Sequence, residues 1–251
     1  MLSAFGRVVK TADLRRKLLF TLAMIVLYRV GTFIPAPGVS YGNVQQCLNA
    51  NVTSGGVYDI VNLFSGGALL QLSIFALGVM PYITASIIIQ LLRVVIPRFQ
   101  ELHDEGAQGQ AKLTQYTRYL TIALALLNAT TIVSMARSGV LLGNCPGIIP
   151  QDDVLHILLI IVTLCAGTTV IMWMGEQITE RGVGNGMSLL IFTSIASSFP
   201  SALGSIQRTH GWGIFAAVCG IGLLVMLAVV YVEQSVRRIP VQYAKRMIGR
   251  R

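Results

Sequence analysis

Long apolar runs separated by short polar stretches dominate the chain. A membrane-crossing helix needs about 20 mainly apolar residues. The pattern predicts six such helices, over 18–34, 74–96, 119–136, 154–175, 187–203 and 211–232. The first and fifth lie at the lower length limit, and Ser197, Ser198 and Pro200 weaken the end of the fifth. The expected fold class is therefore an all-α integral membrane protein, a bundle of six transmembrane helices.

One stretch does not fit a simple span. From Ile60 to Ile96 the chain is almost continuously apolar. A single helix of that length would run about 55 Å, against a hydrocarbon core of about 30 Å. The stretch must break, and Ser65-Gly66-Gly67 and Leu70-Gln71-Leu72-Ser73 offer the flexible points. The part after the break is long enough to cross. The part before it, residues 58–70, is too short to cross and too apolar for an exposed loop. It is either a re-entrant element, tolerated only where protein or a water-filled cavity surrounds it, or a helix lying on the outer leaflet. Pro81 falls inside the next predicted span, where a missing backbone donor predicts a kink.

Charge sorts the segments by side. The chain carries 19 Lys and Arg against 10 Asp and Glu, a net +9. With six spans, all but Arg29, Arg137 and Arg208 of the basic residues fall on the side that holds both ends of this sequence. Such asymmetry marks the cytoplasmic side. The basic N-terminal stretch followed by apolar residues resembles a secretory leader, but no small-residue cleavage site follows, so a retained first span is expected. Composition agrees with this picture: 54% hydrophobic and 12% charged residues, against about 25% charged in an ordinary soluble domain. It excludes a disordered chain, and four cysteines in 251 residues exclude a disulfide scaffold.

Candidate chemistry is sparse. No predicted span has Asp, Glu, Lys or Arg near its centre; Arg29 and Arg93 lie near ends, and Gln90 and Asn128 are the largest polar side chains inside. A proton relay or ion-coupled carrier would need ionisable groups at that depth. Glu176 and Glu180 are one helical turn apart but have no His or nucleophile beside them in sequence, so no enzyme is expected. The glycine-rich run 182–186 follows a span rather than a strand and lacks a phosphate-binding lysine, so it reads as a tight turn. His103, His156 and His210 are scattered, no metal-ligand spacing occurs, and no cofactor is expected. Cys47 and Cys145 both fall in external loops, where oxidation could join them. Val79, Ile83 and Ile87 recur every four residues on one helix face. Such a face can gate a pore by excluding water, or it can simply pack against neighbouring helices.

Longer motifs narrow these alternatives. The run from Phe64 through Ser65-Gly66-Gly67-Ala68-Leu69, then Ser73 through Pro81 to Leu92, resembles the SecY family of protein-conducting channels. So do Phe33-Ile34-Pro35-Ala36-Pro37-Gly38, Gln115-Tyr116-Thr117-Arg118-Tyr119, the run from Trp173 to Gly186, and Tyr243-Ala244-Lys245-Arg246. The motifs occur in order over nearly the whole chain.

The resemblance implies about half of an inverted-repeat channel of ten helices. It makes residues 58–70 a short re-entrant plug helix, with Tyr58, Ile60, Val61, Leu63, Phe64, Ser65, Gly66, Gly67, Leu69 and Leu70 as plug residues. It assigns Val79, Ile83 and Ile191 to the apolar pore ring, with Ile87 farther along the same wall; Val79 departs from the isoleucine common at its position. The implied organisation is a cytoplasmic N-terminus at 1–17, a five-span half at 18–203, an external loop and sixth span at 204–232, and a basic cytoplasmic loop at 233–251. The implied setting is the bacterial plasma membrane, with the N-terminus in the cytoplasm. Implied partners are SecE and SecG, the motor ATPase SecA, the ribosome, and the translocating polypeptide with its signal sequence. The basic residues Arg237, Arg238, Lys245, Arg246, Arg250 and Arg251 correspond to the loop that docks the motor and the ribosome. The same charges also suit contact with anionic lipid, at about 1 kcal/mol each near the surface.

Overall fold

A computed structural model describes residues 11–40, 42–44, 46, 65–69, 71–138 and 153–235. The described residues form helices without a β-sheet. They are α1 (Ala12–Phe33), α2 (Met80–Val95), α3 (Pro97–Asp104), α4 (Ala107–Arg137), α5 (Val154–Arg181), α6 (Gly186–Thr209) and α7 (Gly211–Glu233). Gly211 takes a positive φ of 78°, which separates α6 from α7. Residues 1–199 cluster as one compact unit and 200–251 as another.

Four helices, α4 to α7, are long and apolar enough to cross a membrane, and α2 with α3 adds a fifth if that bent pair counts as one span. The first of the six predicted spans falls short because its apolar part, 18–33, is brief and interrupted by Arg29. Exposed Leu19, Leu22, Val26, Leu27 and Val30 nonetheless leave α1 with an apolar outer surface.

The largest departure from the sequence pattern lies at 74–79. The predicted span 74–96 is helical only from Met80 to Val95. The preceding residues are held elsewhere: Ala36 donates its amide to the Leu72 carbonyl at 2.9 Å, and Ile74 donates to the Ile34 carbonyl at 2.9 Å. This bridge between the segment after α1 and the segment before α2 extends the irregular backbone to Val79. Leu72, at φ 45°, and Gly78, at φ 57°, turn the chain in the left-handed region.

Pro81 consequently sits in the first turn of α2, not in its middle. A first-turn amide has no intrahelical partner, so proline costs nothing there and the expected kink does not arise. The sharp bend comes at the other end. Pro97 forces Ile96 into an extended conformation (φ −105°, ψ 113°), and α2 and α3 meet at 101°. We expect Pro81→Ala to cost about 1–2 kcal/mol through lost packing of a buried ring, while α2 still starts at Met80. Amide exchange across 79–83 checks this; protection spreading back to 74–79 would contradict it.

Helix packing uses small residues. In α4 the buried positions Gly109, Leu113, Thr117, Thr121, Ala125, Ala129 and Val133 recur every four residues. In α5 Ile160, Leu164, Gly167, Thr168, Ile171, Met174, Gly175 and Ile178 are buried. Small side chains let membrane helices approach closely, where van der Waals packing replaces the hydrophobic effect as the source of affinity. A close approach to another segment occurs at Gly167, where a Cβ would overlap the Ile74 carbonyl.

Residues 182–185 form the tight turn expected between α5 and α6. Thr179 Oγ1 accepts the Gly186 amide at 2.9 Å, and Thr21 Oγ1 on α1 accepts the Val183 amide at 3.2 Å. Both hydroxyls donate within their own helices, to Gly175 and Lys17. In the second unit α7 is exposed along its length, with Trp212 edge-on to Phe215 at 5.7 Å.

Candidate functional site

The site forms where the segment 65–69 settles against α1, α2 and α6. Of the expected plug residues, Ser65, Gly66, Gly67 and Leu69 are described. Tyr58, Ile60, Val61, Leu63, Phe64 and Leu70 lie outside the described residues, as do Cys47, Cys145 and the six basic residues from Arg237 to Arg251. Residues 66–69 run as turns, and Ser65 Oγ accepts the Leu69 amide at 3.1 Å. Ser65, Ala68 and Leu69 are buried.

Gly66 makes the decisive contacts. Its φ is 67°, and a Cβ there would lie 3.3 Å from the Ser194 Cα on α6 and 3.2 Å from Arg29 Nη1 on α1. Arg29 Nη1 donates to the Gly66 carbonyl at 2.8 Å, and its guanidinium stacks 4.8 Å from the centre of the Phe33 ring. Sequence reasoning leaves Arg29 as a residue near a helix end, free to reach solvent. The structure turns it toward the backbone of another segment.

A buried polar contact ties α1 to α6 at the same level. Ser194 Oγ donates to the Leu190 carbonyl at 3.0 Å, which leaves it to accept from the Tyr28 hydroxyl at 2.7 Å. The Tyr28 ring stacks on Phe75 at 5.8 Å. Gly31 admits the Phe75 ring, since a Cβ there would overlap it.

Below lies an apolar cluster of Met24, Tyr28, Phe75, Val79, Ile171, Met174, Ile178, Met187 and Leu190, with Ile83 and Ile191 packed at its margin. The structure therefore brings three expected ring residues together. Val79 is buried, and Ile83 and Ile191 are half-buried. Ile87 does not join them and is 50% exposed. Helix geometry explains this: eight residues at about 100° each place Ile87 about 80° around α2 from Val79. The segment 65–69 reaches both sides of the cluster. Ser65 lies close to Gly78, next to Val79, and Gly66 lies against Ser194, one turn beyond Ile191. A cavity of about 270 Å³ opens between this segment, α2 and α4, lined by Ser65, Leu69, Met80, Thr84 and Asn128 among others.

A second polar site joins α4 to α5. Arg118 grips Glu176 with two hydrogen bonds, Nε to Oε1 at 2.8 Å and Nη2 to Oε2 at 2.7 Å. Arg118 also donates to Gln115 Oε1 at 3.2 Å. The sequence places Glu176 and Glu180 one helical turn apart but does not reveal this partner, 58 residues away. Arg118 and Glu176 stand in two separate motifs, which was the available signal. Among the described residues no group of His, Cys, Asp and Glu could hold a metal ion.

Comparison with known proteins bears on this geometry. Residues 73–251 match the SecY family profile. The chain is 63% identical, over all its 251 residues, to the protein translocase subunit SecY of Micrococcus luteus. It belongs to the SecY family. The SecY of Streptomyces scabiei is 59% identical over the full chain. The chain spans 58% and 59% of these two relatives' lengths. Sec61 from a canine ribosome-channel complex of the endoplasmic reticulum shares the fold at 20% identity and a TM-score of 0.57, matching 90% of this chain and 49% of that one. A SecY structure described as having a plug domain that stabilises the closed channel and maintains the membrane seal matches with a TM-score of 0.54 at 21% identity, over 88% of this chain and 47% of that one. The all-helical SecY fold and the multi-pass membrane character expected from the sequence are thus established.

Proposed function

We propose that this SecY-family chain forms the first portion of a protein-conducting channel, which moves secretory proteins across a membrane and inserts membrane proteins into it. The observation that carries this reading is the seat of Ser65 against Gly78, the neighbour of Val79, and of Gly66 against Ser194, one turn from Ile191. An apolar collar with a short removable segment against it is the arrangement a passive, gated pore requires. An apolar collar offers no fixed hydrogen-bond pattern, so it can close around any passing peptide and exclude water when empty.

The chain supplies one wall of such a channel, and the opposite wall comes from helices equivalent to those in the remaining length of its relatives. Energy comes from a partner, the ribosome or the SecA motor, and SecE and SecG complete the assembly. No catalytic step is assigned to the chain. The setting is the bacterial plasma membrane with the N-terminus cytoplasmic, supported by the asymmetry of basic residues. Residues 1–17 face the cytoplasm, 18–203 form the five-span half, 204–232 contain the external loop and sixth span, and 233–251 form a basic cytoplasmic loop. In that loop Arg237, Arg238, Lys245, Arg246, Arg250 and Arg251 meet the motor, ribosomal RNA or anionic lipid. Binding to RNA through them weakens as salt rises.

Single cysteines at Val79, Ile83 and Ile191 in the full-length protein are expected to crosslink to a secretory chain stalled in transit. Ile87 is expected to react more weakly, and exposed positions on α7 not at all. Absence of crosslinks at all three ring positions would remove the pore assignment.

A further inference from the structure

Arg29 stands out on α1 as a cation with a single backbone acceptor in another segment. Its neighbours on the helix, Val26, Leu27 and Val30, are exposed and apolar, whereas Arg29 is half-buried. A guanidinium in apolar surroundings is expensive to leave unpaired. Here it is satisfied by the Gly66 carbonyl at 2.8 Å and by the face of Phe33 at 4.8 Å. The carbonyl belongs to backbone in a left-handed conformation, wedged between Arg29 and Ser194. The opposite wall of the wedge is held in turn by the Tyr28–Ser194 hydrogen bond from the residue beside Arg29.

We propose that Arg29 is a positioning residue that latches the segment 65–69 in its seat, so that the resting seal depends on the Arg29–Gly66 hydrogen bond. The latch rests on the plug reading above. Displacement of the segment withdraws the carbonyl and leaves the guanidinium without its strongest partner, which biases the closed arrangement. A side chain cannot replace the acceptor, because it is a main-chain oxygen. The donor alone is therefore open to substitution. Lysine keeps the charge and one donor but loses the planar fork and its stacking on Phe33.

The test measures resting ion leak of the full-length protein in phosphatidylethanolamine and phosphatidylglycerol vesicles, without motor or ribosome. Arg29→Leu is expected to raise leak about threefold or more, with Arg29→Lys in between. Leucine suits the apolar surface of α1, so folding is expected to survive, and Arg29→Gln provides a second neutral variant. The deciding arm combines Arg29→Leu with deletion of 58–70. If Arg29 acts through the plug, the double change leaks no more than the deletion alone. Extra leak in the double change would show an effect through helix packing and overturn the latch. Unchanged leak in both Arg29→Leu and Arg29→Gln, with raised leak in the deletion, would also overturn it. Unchanged leak in the deletion itself would overturn the plug reading on which the latch depends.

Discussion

Gly167→Val is expected to prevent stable assembly of the helices. A Cβ at this position overlaps the main-chain carbonyl of Ile74. That carbonyl cannot step aside, because the Ile74 amide is bonded to the Ile34 carbonyl and the adjoining Leu72 carbonyl accepts from Ala36. Relief requires either breaking this bridge or pushing α5 outward along its length. Overpacking against side chains costs about 1–3 kcal/mol; against fixed backbone we expect about 3 kcal/mol or more. In detergent this should appear as aggregation on extraction or as loss of protease resistance. Gly222→Ala in α7, where nothing lies within 4 Å of a new Cβ, serves as the control and should extract normally. A Gly167→Val protein with unchanged thermal stability would show that the Ile74 segment does not pack on α5.

Arg118→Leu is expected to destabilise the protein by about 2 kcal/mol. Removing one partner of a buried ion pair costs about 3–5 kcal/mol, because the other charge is left without compensation. Glu176 is only 16% exposed, but Arg118 is 39% exposed, so water relieves part of the penalty. The double change Arg118→Leu with Glu176→Leu should recover most of the loss, since no unpaired charge then remains. Glu176→Leu alone leaves the more exposed partner and should cost less than Arg118→Leu. Thermal unfolding of all four proteins in detergent gives the double-mutant cycle. A double change that costs the sum of the two single changes would mean that the pair contributes nothing beyond the packing of its aliphatic parts.

Much of the helical layout was legible because burial in lipid imposes a simple length rule. Four of the six apolar runs, 119–136, 154–175, 187–203 and 211–232, lie within α4 to α7. Ser197, Ser198 and Pro200 did not end the fifth. Helix α6 continues to Thr209, and Ser197 Oγ satisfies itself on the Ser194 carbonyl at 2.8 Å. Hydropathy failed at 74–79, because residues can be apolar and buried without being helical when their backbone groups bond to another segment. The repeat of Val79, Ile83 and Ile87 placed two of these residues in the apolar cluster, while Ile87 lies outside it.

By itself the sequence determined that this is a helical membrane protein, where its chain must break between Ile60 and Ile96, and which family its motifs resemble. Those properties follow from local quantities: apolar run length, glycine and proline placement, and motif order. Only the tertiary structure decided that Val79, Ile83 and Ile191 share one cluster, that Arg118 pairs with Glu176, and that Arg29 holds the Gly66 carbonyl. Each of these joins residues tens to more than a hundred positions apart. Hydropathy counts what a residue avoids, whereas a hydrogen bond or a close backbone approach depends on which partner the fold brings within about 3 Å.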